Sequence, residues 1–377
     1  DELQRILGRI NRPGGSGPDL ETIRAANLGN DSPLALVFNP VPPGTVLPAE
    51  QHPMRRAPVA VAMPTSDEAL AYLPVTHLAR LVETRQVKPS ELTELYLARL
   101  KRYDARLHCV ISYTEELALR QARQADEEIL AGNYRGPLHG IPWGAKDLFA
   151  VRGTGTTWGA SPYRNQSFDV DATIYRRLTE AGAILIAKLS MGALASGDRW
   201  FGGRTRNPWN PDQGASGSSA GPGAATAAGL VGFAIGTETR GSIISPSTRN
   251  GVTGLRPTFG RVSRYGAMTL AWSMDKIGPI TRSVEDCALI LDAIHGSDGH
   301  DQTVVDQPFH WPPRRPLSAL RVGFTETNKP EDERDDLNLL RELGVQLVPI
   351  QLPNSLPASA VSLMLGTEAA TVFDELT

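Results

Sequence analysis

From Leu73 onward the apolar positions of this chain alternate between two rhythms. "PSELTELYLARLKRY" (89–103) places Leu92, Leu95, Tyr96, Leu100 and Tyr103 on one face of a helix, with Ser90 as its N-cap. "TEELALRQARQADEEIL" (114–130) predicts a second helix with a charged outer face. "DATIYRRLTEAG" (171–182) reads as a helix closed by Gly182, and "AILIAK" (183–188) as a buried strand. The alternation resumes with "SVEDCALILDAIHG" (283–296), a helix capped by Ser283 and stopped at Gly296. Strand-like "ALRVGFTE" (319–326), helical "DDLNLLREL" (335–343) and strand-like "VQLVPIQL" (345–352) follow. Helix and strand trading places predict an α/β fold: a central mixed, mainly parallel sheet between layers of helices. No internal repeat is visible.

Residues 1–72 break this pattern. They are rich in Pro and Gly ("NRPGGSGP", "NPVPPGTVLP") with one amphipathic piece, "ELQRILGRI", and predict an irregular extension ahead of a domain spanning 73–377. The last stretch, "LMLGTEAATVFDELT", reads as a helix without a stop signal, so the domain is expected to be truncated at its C-terminus. The chain starts at Asp1 without methionine, which leaves cytoplasmic and exported locations both open.

Composition narrows the function classes. A hydrophobic content of 41% over 377 residues supports a large core. A net charge of −3 with mixed signs gives no footprint for nucleic acid, and no apolar run reaches the ~20 residues of a bilayer span. Cys109 and Cys287 cannot build a disulfide framework and are expected as small buried hydrophobes. Sequons at Asn30 and Asn165 are too common to decide anything.

The candidate chemistry lies in "GASGSSAGPGAATAAGLVGFAIGTETRGSIISPS" (214–247). A tightly packed small-residue helix accounts for its middle, Ala224–Gly229. It does not account for Gly217-Ser218-Ser219 at one end and Gly241-Ser242 at the other. Small residues at a loop tip let backbone N–H groups converge on a ligand oxygen.

Rival motifs fail on context. "GSSAG" (217–221) fits G-x-S-x-G but follows "NPWNPDQ", which is no strand, and His295, His300 and His310 lie in loop-like sequence. "SMDK" (273–276) fits S-x-x-K without any K-T-G. "HGSDGHD" (295–301) has no H-x-x-x-H partner and reads as a polar loop rather than a metal site. The phosphate-loop G-K-[ST] is absent.

The remaining base is Lys146 in "HGIPWGAKD" (139–147), which reads as a buried turn. Taking an ammonium out of water lowers its pKa, and moving it from ~10.4 to between ~7 and ~8 costs roughly 4 kcal/mol. A solvated surface lysine is the ordinary alternative.

Together, "GPLHGIPWGAKD", "GSSAGPGAATAAGL", "GTETRGSIISPS" and "GVTGLRPTFGRVSRYGAM…DKIGPITRSVED" resemble, in order and spacing, the amidase signature family of serine hydrolases. The resemblance runs from about Leu73 to the end. It implies a Ser-cisSer-Lys triad: Ser242 as nucleophile, Ser218 as the bridging serine after a cis peptide bond, and Lys146 as base. It further implies an oxyanion hole of the backbone N–H groups of Thr239, Arg240, Gly241 and Ser242. No cofactor and no metal are implied. The implied reaction is hydrolysis of the C–N bond of a small-molecule amide through an acyl-enzyme, with no direct nucleic-acid contact; a homodimer stays open.

Two other readings remain. "FGRVSRYGAM" and "DKIGPITRSVED" are similar to the A subunit of glutamyl-tRNA amidotransferases, a glutaminase that delivers ammonia to a partner. A non-catalytic binding protein of the same fold is the other. This chain departs from the family's T-D-T-G-G-S-I-R at Glu238, Arg240 and Ile244. Loss of a basic residue at Ile244 implies a neutral or apolar substrate.

Overall fold

A computed structural model describes residues 60–312, 315–325, 331, 334–352 and 360–376, with isolated positions 44, 46 and 54. Nearly all of the predicted N-terminal extension, including "ELQRILGRI", lies outside the described residues. Among the described residues, the first helix is α1 (Asp67–Ala71), where Ser66 Oγ accepts the Ala69 N–H at 3.2 Å.

The chain divides into two compact units. The larger, which includes Pro58–Gln307 and Leu365–Thr377, is built on a six-stranded sheet. In chain order its strands are β1 (Val110–Tyr113), β2 (Pro142–Lys146), β3 (Ile184–Leu189), β4 (Phe233–Glu238), β5 (Thr253–Gly254) and β6 (Lys276–Thr281). Their spatial order is β1-β3-β2-β4-β6-β5. β3, β2 and β4 run parallel at the centre, while β1, β6 and β5 pair antiparallel on either side.

Burial explains this order. Every residue of β2 and β3 is buried, as are all but Thr237 in β4. Strands covered on both faces read as continuous apolar runs. β1 stands at the edge with Tyr113 exposed.

Helices α2 (Val75–Glu83), α3 (Pro89–Leu107), α4 (Glu115–Leu130), α5 (Thr173–Glu180), α6 (Ala220–Ala227), α7 (Ile244–Asn250) and α8 (Val284–Ile294) accompany the sheet. α3 and α4 pack on each other and on β3; α8 packs on β6; α6 contacts β2, β3, β4 and β6. This is the expected α/β arrangement of a mixed sheet with helices around a parallel centre.

Ser283 caps α8, accepting the Asp286 N–H at 3.1 Å, and Gly182 and Gly296 take positive φ past their helices, as predicted. Ser90 is not a cap. Pro89 occupies the first turn, where a missing N–H costs nothing. The Lys88 N–H is taken by Glu91 Oε2 at 2.9 Å, and the Ser90 N–H reaches Asp126 Oδ1 at 3.1 Å.

The smaller unit holds a parallel pair, β7 (Arg321–Phe324) with β8 (Gln346–Pro349), joined through α9 (Asp335–Glu342). A last helix, α10, spans Ala360–Val372. No helix among the described residues is long and apolar enough to cross a membrane. Cys109 and Cys287 are both free and buried.

Candidate active site

Lys146 is the last residue of β2, not part of a turn. It has no exposed surface, and Nζ donates to Ser218 Oγ at 2.8 Å and to Thr237 Oγ1 at 2.8 Å. The adjacent carboxylate is occupied elsewhere. Asp147 pairs with Lys188 on the neighbouring β3 at 2.9 Å, both side chains fully buried, and also accepts from the Thr157 N–H and hydroxyl. Lys146 therefore meets hydroxyls where Lys188 meets an anion. Burial pulls the Lys146 ammonium down to about 7, against the raising pull of the Asp275 and Glu238 carboxylates.

Ser218 follows a cis Gly217–Ser218 peptide bond and is 1% exposed. The chain is so close here that a Cβ on Gly217 would sit 1.7 Å from the Gly197 carbonyl oxygen, which restricts the position to glycine. Ser219 then opens α6. Its hydroxyl donates to Thr237 O at 3.1 Å and accepts the Thr237 N–H at 3.2 Å, while its own N–H donates to Ser242 O at 3.1 Å.

Ser219 thus stitches the α6 start to the end of β4 and to Ser242. Its hydroxyl is committed to that role, so "GSSAG" is no nucleophile elbow. Ser242 is half-buried just before α7. Among the described residues no hydrogen bond joins the Ser218 and Ser242 hydroxyls; backbone contacts bring the two segments together.

Residues 239–242 form the turn between β4 and α7. Gly241 takes φ +98°, and Arg240 is not among the positive-φ residues, so the turn's left-handed position falls on glycine. Thr239 Oγ1 donates to Asp275 Oδ1, and Lys276 Nζ donates to Thr239 O at 3.1 Å.

Glu238, one of the departures from the family pattern, is integral. Its fully buried carboxylate accepts the Ile243 N–H at 2.8 Å, the Ile244 N–H at 2.9 Å and Arg256 Nη1 at 3.0 Å. Burial opposes its charge, but the N–H groups of Ile244, Ile243 and Gly241 and the Arg256 guanidinium together hold it below the ordinary glutamate range. Ile244 is 42% exposed, presenting an apolar side chain next to the turn.

Glu238→Ala leaves the buried Ile243 N–H and the part-buried Ile244 N–H without their acceptor and is expected to destabilise the fold by about 3 kcal/mol in urea denaturation. A carboxylate with a lowered folded pKa stabilises above its unfolded pKa and stops doing so as pH falls through the folded value. The difference between variant and parent is therefore expected at neutral pH and to shrink in acid.

The other motifs separate in space. Ser273 donates to Glu368 of α10, whereas Lys276 turns to Thr239 and Met274 O, so "SMDK" makes no Ser-Lys pair. In "HGSDGHD", Asp298 accepts from Ser263 and Thr173 and pins a loop. Sequence reasoning gives Thr237 no role, and it weighs Asp275 and Lys276 only within the rejected "SMDK" motif. Their place follows from the register Thr237↔Ile277 and Glu238↔Lys276 between β4 and β6, which no local pattern announces.

Residues 91–376 match the amidase family. The chain is 41% identical over 256 residues to the A subunit of the glutamyl-tRNA(Gln) amidotransferase of Methylococcus capsulatus, covering 66% of this chain and 53% of that protein. It is 42% identical over 260 residues to a putative amidase, AmiD, of Mycobacterium tuberculosis, covering 68% and 54%. The chain thus spans about half the length of the curated relatives it matches. Among solved structures, native peptide amidase from Stenotrophomonas maltophilia superposes with a TM-score of 0.68 at 31% identity, over 80% of this chain and 68% of that one. With a site of this geometry inside the matched span, the chain belongs to the amidase family.

Proposed function

We propose that this chain hydrolyses the C–N bond of a small-molecule amide through an acyl-enzyme on Ser242. The observation that carries the proposal is the 2.8 Å contact between Ser218 Oγ and a fully buried Lys146 amine whose pKa is pulled down to about 7. A neutral amine has a lone pair, so the same contact can run from the Ser218 hydroxyl to Lys146 Nζ. A hydroxyl accepts one proton while giving up another. Ser242 Oγ passes its proton to Ser218 Oγ, Ser218 passes its own to Lys146, and the Ser242 oxygen bonds to the carbonyl carbon.

The resulting oxyanion faces backbone N–H groups of the 239–242 turn, where the Gly241 N–H is shared with the Glu238 carboxylate. Collapse breaks the C–N bond, Lys146 and Ser218 return the proton to the departing amine, and water cleaves the ester by the reverse path. The Ser218–Ser242 link closes in the substrate complex, as catalytic hydrogen bonds commonly do. The names of relatives support this class: one is a putative amidase and a solved neighbour is a peptide amidase.

A second reading has its own support. The 41% identity to an amidotransferase's A chain makes a partner-dependent glutaminase a specific rival. One panel separates them: glutamine, a fatty amide, an anilide and a peptide amide, with a fluorophosphonate to label Ser242. Turnover of an aryl or alkyl amide without any partner protein supports a free amidase. Glutamine hydrolysis that appears only with added partner proteins supports the rival. No turnover and no label sink both.

A further inference from the structure

The family match and the triad leave unexplained why two charged side chains from β6 and its lead-in, Asp275 and Lys276, grip one residue of the 239–242 turn. Asp275 is a junction: Oδ1 accepts the Thr239 hydroxyl, and Oδ2 accepts the N–H groups of Leu270 at 2.8 Å and Ala271 at 3.0 Å. Lys276, directly opposite Glu238 in the sheet, extends Nζ to Thr239 O at 3.1 Å and to Met274 O. Thr239 is thus held by its side chain from the lead-in to β6 and by its carbonyl from the first residue of β6.

The carbonyl contact has a directional consequence. The 239–240 peptide is trans, since the only cis bonds among the described residues are elsewhere, and in a planar trans peptide the C=O and the following N–H point in opposite directions. Holding Thr239 O against Lys276 therefore fixes where the Arg240 N–H points. At its other end the same turn is fixed by Glu238 through the Ile243 and Ile244 N–H groups. A turn anchored at both ends keeps its donors oriented before charge develops, which is what makes an oxyanion site effective.

We infer that Lys276 and Asp275 are positioning residues that fix the 239–240 peptide plane, and with it the Arg240 N–H, for binding the oxyanion. The inference rests on the proposed Ser242 chemistry. It also gives "SMDK" a role other than the Ser-Lys pair the motif suggests.

Lys276→Met removes the grip with little change in volume. Its expected effect is a fall of about 10²-fold in kcat on an anilide or peptide amide, with KM within about twofold, the size typical of losing one oxyanion donor. Labelling of Ser242 by a fluorophosphonate, whose phosphoryl oxygen takes the oxyanion's place, is expected to slow in parallel. The pH at half-activity, set by Lys146, stays where it was.

Chemical rescue separates orientation from folding. Lys276→Cys treated with 2-bromoethylamine rebuilds an ammonium of almost the same reach, and the native cysteines, both buried, are shielded from the reagent. Recovery of most of the lost kcat is expected. Asp275→Asn keeps an acceptor but removes an anion that raises the Lys146 pKa, so its activity–pH curve is expected to move to lower pH.

Full activity of Lys276→Met, or a loss that follows a fall in Tm and is not restored by alkylation, overturns the inference while leaving Ser242 chemistry intact. Loss of all pH dependence in Lys276→Met overturns it too, because Lys276 is then the base. A parent protein that neither turns over amides nor takes the label removes both proposals together.

Discussion

Lys146→Met is expected to lower kcat/KM toward an amide by about three to four orders of magnitude, the upper range for removing a positioned general base. The size follows from isolation. Nζ is fully buried against two hydroxyls, and Asp147, the carboxylate next in sequence, is paired with Lys188. No second amine occupies the same place among the described residues: Lys188 is held by Asp147, and Lys276 is turned to Thr239.

The pH dependence of the parent carries the same signature. The neutral amine is the working form, so activity is expected to rise through pH about 7 and level off above it. The variant's residual rate is expected to lack that limb. A loss below tenfold, or a limb that survives the substitution, places the base elsewhere.

Stability should move the other way. An amine whose folded pKa is depressed from 10.5 to about 7 penalises folding fully below the folded value. The penalty fades as pH rises toward the unfolded pKa. Removing it is expected to stabilise Lys146→Met by a few kcal/mol at pH 6, less the two lost hydrogen bonds, with the gain vanishing above pH ~10. Urea denaturation at two pH values reads this directly.

Sequence periodicity captures the amphipathic helices and the strands with uninterrupted apolar runs. "AILIAK" is recognisable as β3 because all six residues of that strand are buried. β2 escapes notice because "PWGAK" combines Pro, Gly and Lys, and the sheet forces them into an extended buried line that local propensity disfavours. β6 carries Pro279 and Gly278 and is equally quiet in sequence. The Ser90 cap fails for a local reason: Pro89 starts the helix, which puts the cap position on Lys88.

At the site, it is the resemblance to the amidase signature family that nominates Lys146, Ser218 and Ser242. Local sequence cannot decide whether Lys146 is buried or solvated; that depends on β3 and β4 flanking β2. Glu238 looks like erosion of a motif because its partners, Arg256 and two backbone N–H groups, become visible only when the turn is folded. The same holds for Asp275 and Lys276, whose approach to Thr239 is set by strand register. Resemblance supplies the proposed triad, and tertiary structure supplies the contacts around Lys146 and Ser218.

Ser242→Ala is expected to reduce turnover on the order of 10⁵-fold or more, since loss of a nucleophile costs about as much as losing the whole catalytic unit. The variant is also expected to lose all fluorophosphonate labelling while still binding an amide competitively, because no wall of the site is altered. The neighbouring hydroxyls cannot substitute. Ser245 Oγ is bonded to Ser216 Oγ at 2.7 Å, Ser219 is tied to Thr237, and Ser247 is buried.

Ser218 is the one serious competitor, since it already touches Lys146, but it is 1% exposed and follows a segment packed against Gly197. Ser242, half-buried in the 239–242 turn, has access, and the proposed oxyanion donors belong to its own loop. Mass spectrometry of the labelled parent decides between them. An adduct on Ser218, or turnover that persists in Ser242→Ala, would make Ser218 the nucleophile and reduce the relay to a direct Ser-Lys pair.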